Sequence, residues 1–252
     1  MNMAFGKRKT HTFLLFVLFA LFALSLGLNA ALWRSVRPVM IQWSNVPPVP
    51  TAAGALWSAL GDKQLAFRGY GLMIQNMGDT GGLVTPLVDY DYERLGKWFR
   101  LVHEFDPNSD FLPFLAGYFF GGVKDPEKLA PIVDYLEIAA GNGEGQKWRF
   151  LGQAAFLARF KMKDLDRALE LAHKLSSFEN PDMATWARQM PVFIMTAQGE
   201  KKAAYALMVS ILKTDAENLH PNEVNATLDY LCTRILDEQE ASVDPLCKLY
   251  HR

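Results

Sequence analysis

The chain has 252 residues, half of them hydrophobic, which suffices for a membrane segment plus one domain of about 200 residues with a sizeable core. Its formal charge of −1 conceals an asymmetry, because residues 1–37 hold five Lys/Arg and no acid and leave 21 basic against 27 acidic side chains in the remainder. A mildly acidic domain lacks the clustered Lys/Arg that neutralise phosphates, so nucleic acid is excluded as an expected partner.

The first element is "FLLFVLFALFALSLGLNAALW", Phe13 to Trp33, a run without a charged residue. As a helix rising about 1.5 Å per residue it spans about 31 Å, close to the roughly 30 Å hydrocarbon core of a bilayer. Lys7, Arg8 and Lys9 precede it and Arg34 and Arg37 follow. The positive-inside bias therefore places the basic residues 1–12 in the cytoplasm and the domain outside it, periplasmic in a Gram-negative cell. A cleaved signal peptide is the competing reading. Its apolar region would usually be about 7 to 15 residues long and end in a small-x-small site. Cuts after Ala30 or Ala31 would put Leu28 or Asn29 at the third position back, neither of them small, so an uncleaved anchor over 13–33 is expected.

Residues 34–50, "RSVRPVMIQWSNVPPVP", contain Pro38, Pro47, Pro48 and Pro50 and read as an extended spacer holding the domain off the membrane. A packed edge segment is the alternative for its "MIQW" part. From residue 51 to 252 the punctuation is that of helices joined by short loops, with no period-2 strand pattern. In "DPEKLAPIVDYLEIAAG", Asp125 is an N-cap, Pro126 opens the helix and Gly141 lies beyond its end, while Pro131 has the means to kink or split it. Helices are expected near 53–60, 63–77, 91–105, 110–121, 126–140, 147–160, 165–178, 183–197, 201–213, 222–236 and 245–250.

"GDTGG" at 78–82 differs by one residue from the Gly-Asp-Ser-Gly-Gly run around the nucleophile of trypsin-like proteases. A triad needs a histidine and an aspartate in register, and the only histidine upstream is His11, ahead of the apolar run. The run is read instead as a helix stop at Gly78 in left-handed conformation, followed by a turn. The other chemical candidates read as structural too. His103 in "HEFD" lacks the second histidine of a zinc-protease helix, and "GNGEGQKW" (141–148) is a flexible loop without the Lys-Ser/Thr of a phosphate loop. Asp89/Asp91 and Asp164/Asp166 sit at helix starts, where they complement the helix dipole. No cofactor or metal set is expected.

The helices repeat. Phe111, Trp148 and Trp186 occupy equivalent places, followed by Phe114, Leu115 and Tyr118, by Leu151, Gly152 and Ala155, and by Gln189, Met190 and Phe193; on the second helices Pro131/Ile132, Ala168/Leu169 and Ala206/Leu207 correspond. Over residues 108–213 the sequence resembles the tetratricopeptide-repeat family: Trp148, Leu151 and Gly152 match the start of its unit, and "DLDRALELAHKL" looks like its second helix with Ala168 as packing alanine. Ala155 stands where that family has Tyr, and the distance from Trp148 to Ala168 is about one turn longer than in its pattern. The chain also looks similar to uncharacterised bacterial membrane-anchored proteins of this class. The resemblance implies an all-α solenoid of stacked helix pairs that binds another protein on a concave face. Offsets of +1, +5, +8 and +9 from Phe111 and Trp148 nominate Leu112, Ala116, Phe119 and Phe120, then Arg149, Gln153, Phe156 and Leu157, with core packing the competing assignment for the aromatic members.

Cys232 and Cys247 fall on successive helices around the turn "DEQEASVDP", where oxidation outside the cytoplasm could bridge them; buried thiols are the alternative. Two functions follow. The first is a non-catalytic scaffold holding another membrane or envelope protein. The alternative is an extracytoplasmic helical enzyme such as a peptidoglycan lyase, which would need a catalytic Glu often followed by Ser, a pair absent from the sequence.

Overall fold

The computed structural model describes residues 3–36, 46–80, 83–215 and 219–250. Residues 1–43 and 44–252 form separate units. The first contains helix α1 (Met3–Val36), within which Phe13–Ser35 is long and apolar enough to cross a membrane and has none of its surface buried by protein. A Phe/Leu/Ala run that is hydrophobic all round has no core-facing stripe, as a lipid-solvated helix requires.

The second unit is helical: α2 (Ala52–Ser58), α3 (Lys63–Gln75), α4 (Tyr92–His103), α5 (Phe111–Gly122), α6 (Ala130–Ala140), α7 (Trp148–Phe156), α8 (Leu165–Ser176), α9 (Thr185–Arg188), α10 (Met190–Gln198), α11 (Lys201–Asp215), α12 (Pro221–Tyr230), α13 (Glu238–Val243) and α14 (Pro245–Tyr250). Capping follows the sequence. The Asp62, Asp91 and Asp164 side chains accept backbone N–H bonds at the starts of α3, α4 and α8. Prolines cut two expected helices. Pro126–Lys128 forms a separate 3₁₀ turn before α6, whose first turn contains Pro131, and Pro191 in the first turn of α10 separates it from α9. The middle of α5 is a π turn (Leu115–Phe119), and α7 and α12 each continue into one (Leu157–Met162 and Leu231–Ile235).

Two expectations are corrected here. "DEQEASVDP" holds a helix, α13, because Asp237 and Glu240 form a reciprocal capping box. The region after α3 is not free of strand, since β1 (Asp79–Thr80) pairs antiparallel with β2 (Leu83–Val84), Asp79 opposite Val84 and Thr80 opposite Leu83. Gly78 has the expected positive φ of +82°. It is glycine for a second reason: a Cβ there would fall 1.8 Å from the Tyr90 hydroxyl, which donates to the Met77 carbonyl.

The Pro-rich spacer is shorter than expected. Val46 is fully buried, its carbonyl accepts from Arg94 Nη1 at 2.8 Å, and the Pro47 carbonyl accepts from Trp98 Nε1 at 2.8 Å. Residues 46–50 thus belong to the packed domain; "MIQW" lies outside the described residues.

Successive helices pack in order, α3 on α4, α4 on α6, α6 on α7, α7 on α8, α8 on α10 and α10 on α11. Gly96 permits the α4–α6 contact, where a Cβ would stand 2.8 Å from Pro131 Cβ. One core runs from Val46 to Ile194 and includes the stacked Phe99–Tyr135 pair, 4.9 Å between centroids. A smaller core gathers Val192, Ala204, Met208, Leu231, Ile235 and the half-cystines Cys232 and Cys247. Sγ of Cys232 is bonded to Sγ of Cys247, with the Cα atoms 5.7 Å apart.

Candidate functional site

Helices α5 and α7 lie side by side. Gln153 on α7 reaches across to donate from Nε2 to the Gly117 carbonyl on α5, 3.2 Å away, and its Cγ occupies the space a Cβ on residue 117 would need. One turn on, the methyls of Leu157 lie against Gly121. Gly152 plays the same part toward the next helix, receiving the indole of Trp186, which in turn packs on Trp148 with ring centroids 5.5 Å apart. Gly117 and Gly152 thus each make room for a side chain from a neighbouring helix.

Leu112, Ala116, Phe120 and Leu157 are buried in the core and present no free surface. Phe111 is partly exposed, whereas Trp148, which aligns with it in the sequence, is buried. Phe119, Arg149 and Phe156 are exposed and Gln153 is half-buried.

Much of the surface around these positions is aromatic. Phe114 and Tyr118, 60% and 56% exposed, form a pair with centroids 4.7 Å apart on α5. Phe156 and Phe160, 45% and 46% exposed, form another at 4.8 Å on α7. Trp186 continues the row on α9, and two guanidiniums lie over rings: Arg149 over Trp148 at 5.5 Å and Arg159 over Phe160 at 4.6 Å. Several half-exposed aromatic rings gathered on neighbouring helices mark a surface suited to a partner rather than the scattered apolar exposure of an ordinary surface. The choice of Phe114, Tyr118, Phe160 and Trp186 was missed because periodicity identifies a helical stripe without saying which helix will cover it.

A charged network links α4, α6 and α8. Arg167 on α8 pairs with Glu137 at 2.5 Å, Asp134 at 3.1 Å and Glu170 at 2.7 Å; Lys174 adds a bond to Glu137 at 2.8 Å, and Arg100 on α4 lies 3.8 Å from Asp134. Burial alone would raise the Glu137 pKa, but hydrogen bonds from Lys174 and Arg167 outweigh it and hold the carboxyl below its ordinary value. This polar network satisfies itself, whereas the aromatic row on α5 and α7 remains uncovered.

The other candidates have structural partners. His103 approaches Tyr135, Nδ1 to hydroxyl 3.5 Å, and its pKa is lowered by burial and then by Lys147, against an opposing pull from Asp106. Asp91 and Asp164 are N-caps, and Asp166 accepts from Gln198 Nε2 at 3.0 Å. The loop in "GNGEGQKW" is tied down, contrary to the expected flexibility. Buried Asn180 donates from Nδ2 to the carbonyls of Gly143 at 2.7 Å and Gly145 at 2.8 Å, and Phe178 packs where a Gly143 Cβ would be. Thr80 lies in the short hairpin, and the Gly81 and Gly82 that complete its motif lie outside the described residues. No protein-family model, curated protein or solved structure matches the chain.

Proposed function

We propose that the chain is a membrane-anchored helical scaffold that binds another membrane or envelope protein on the aromatic row of α5 and α7. The observation that carries this reading is the exposure of Phe114, Tyr118, Phe156 and Phe160 on adjoining helices whose other sides are packed. Aromatic and Arg side chains are the groups most enriched at protein interfaces, since they bury large areas at low entropic cost. The roughly 35-residue spacing of Gly117 and Gly152, close to the 34 residues of a tetratricopeptide unit, supports a repeat origin for this face.

The apolar run Phe13–Ser35 supports anchoring, and the basic residues before it support an N-terminus in the cytoplasm. The Cys232–Cys247 bridge supports a domain in an oxidising compartment. The reading carries no catalytic step, and its partner is a protein segment with apolar side chains to lay between the rings.

Placing a photo-crosslinking phenylalanine analogue at Phe114 or Phe156, and as a control at the exposed Lys201 on α11, tests the reading in intact membranes. The same discrete adduct from both face positions, absent at Lys201, is the expected result. Adducts from Lys201 alone would move recognition elsewhere.

A further inference from the structure

The corner between α2 and α3 presents a second apolar surface, unlike the aromatic row. Trp57 is 84% exposed and Leu60 is 92% exposed. Together with Ala53, Leu56 and Gly61 they line a shallow apolar depression. The corner is rigid: Leu60 N–H donates to the Trp57 carbonyl, Gly61 N–H to Leu56 and Asp62 N–H to Ala59, at 3.1, 2.8 and 3.0 Å. Leu60 is held at φ +55°, a region costly for a branched side chain, so that both large side chains project from the turn.

Two facts identify what covers them. The first is tether length. The domain is pinned from Val46 onward, and residues 37–45, which join it to α1, reach at most about 35 Å even when fully extended. The second is charge. Residues 34–76 contain Arg34, Arg37, Lys63 and Arg68 against the single acid Asp62, whereas residues 77–252 contain 19 Lys/Arg and 26 Asp/Glu. An exposed Trp and Leu followed in the sequence by Lys63 and Arg68, on an otherwise acidic domain joined by so short a segment to a run apolar enough to span a membrane, have the composition of an interfacial anchor.

We infer that the Trp57–Leu60 corner inserts into the interface of an anionic lipid bilayer. The inference rests on the anchored reading of α1, and its test separates the two. The full chain is reconstituted in vesicles of phosphatidylcholine with about one-third phosphatidylglycerol, with and without brominated acyl chains, beside its Trp57→Phe and Trp33→Phe variants. Trp57 packs little, so its replacement leaves circular dichroism unchanged.

The emission lost on Trp57→Phe should be blue-shifted and quenched at least about twofold by bromine, as expected for an indole at the headgroup level. The component lost on Trp33→Phe reads insertion of α1. An unquenched Trp57 component beside a quenched Trp33 component overturns the docking alone. Both unquenched overturns the anchor and the docking with it. A blue-shifted but unquenched Trp57 component means that a second copy covers the corner, and likewise overturns the inference.

Discussion

Gln153 Nε2 donates to the carbonyl of Gly117 across the α5–α7 contact, at 3.2 Å. The half-buried Gln153 amide is therefore partnered within the domain, and its bond ties α7 to α5. Replacing Gln153 by Ala removes this bond and leaves the partly buried Gly117 oxygen without that donor. A loss of about 1 kcal/mol in urea unfolding is expected. Arg149→Ala, on the same stripe but exposed, should leave stability within about 0.5 kcal/mol of wild type.

Asn180 clamps a loop whose glycines give it little order of their own. Asn180→Ala removes bonds to Gly143 and Gly145 and should cost about 1–3 kcal/mol. Faster amide exchange confined at first to residues 141–147 is the specific signature. A variant as stable as wild type, with unchanged exchange, would show that the loop is held by Phe178 packing alone.

The fold was legible in the sequence to different depths. Asp91, Asp164 and Gly78 announced their roles because capping and left-handed turns depend on a few adjacent residues. Pro131 likewise signalled the break before α6. Burial of Leu112 and Phe120 beside the exposure of Phe114 and Tyr118 was not legible, because it depends on which side of α5 meets α7. That choice is set by Gly117 and Gly121, whose lack of a side chain carries no periodic signal. The capping box Asp237–Glu240 could have revealed α13, but the segment's polarity read as a turn.

Stability should weaken on mild acidification. Burial and Lys147 depress the folded-state pKa of His103 below its ordinary value of 6.5, so the unfolded chain takes up a proton first as pH falls. This contribution is fully present above about pH 6.5 and is lost as the pH falls from there through the depressed folded-state value. Replacing His103 by Gln should flatten the midpoint-against-pH curve in that window. An unchanged slope would assign the dependence to other groups.

The terminal bridge closes the chain between residues 15 positions apart, which in the loop-entropy account is worth about 3 kcal/mol. Thiol titration of denatured, unreduced protein from membranes should find no free thiol. Reduction should loosen the small core around Leu231 and Ile235 before the larger one, read by amide exchange in α12 and α14.

On the proposed reading the aromatic row serves binding and not folding. The decisive measurement compares partner capture and melting temperature for Phe114→Ser/Phe156→Ser in native membranes, using the partner identified by crosslinking from those positions. Capture should fall at least about tenfold, equivalent to about 1.4 kcal/mol, while the melting temperature changes by no more than a few degrees, because Phe114 is 60% and Phe156 45% exposed. Wild-type capture, or loss of capture only in step with unfolding, would contradict the account and make these rings part of the structure.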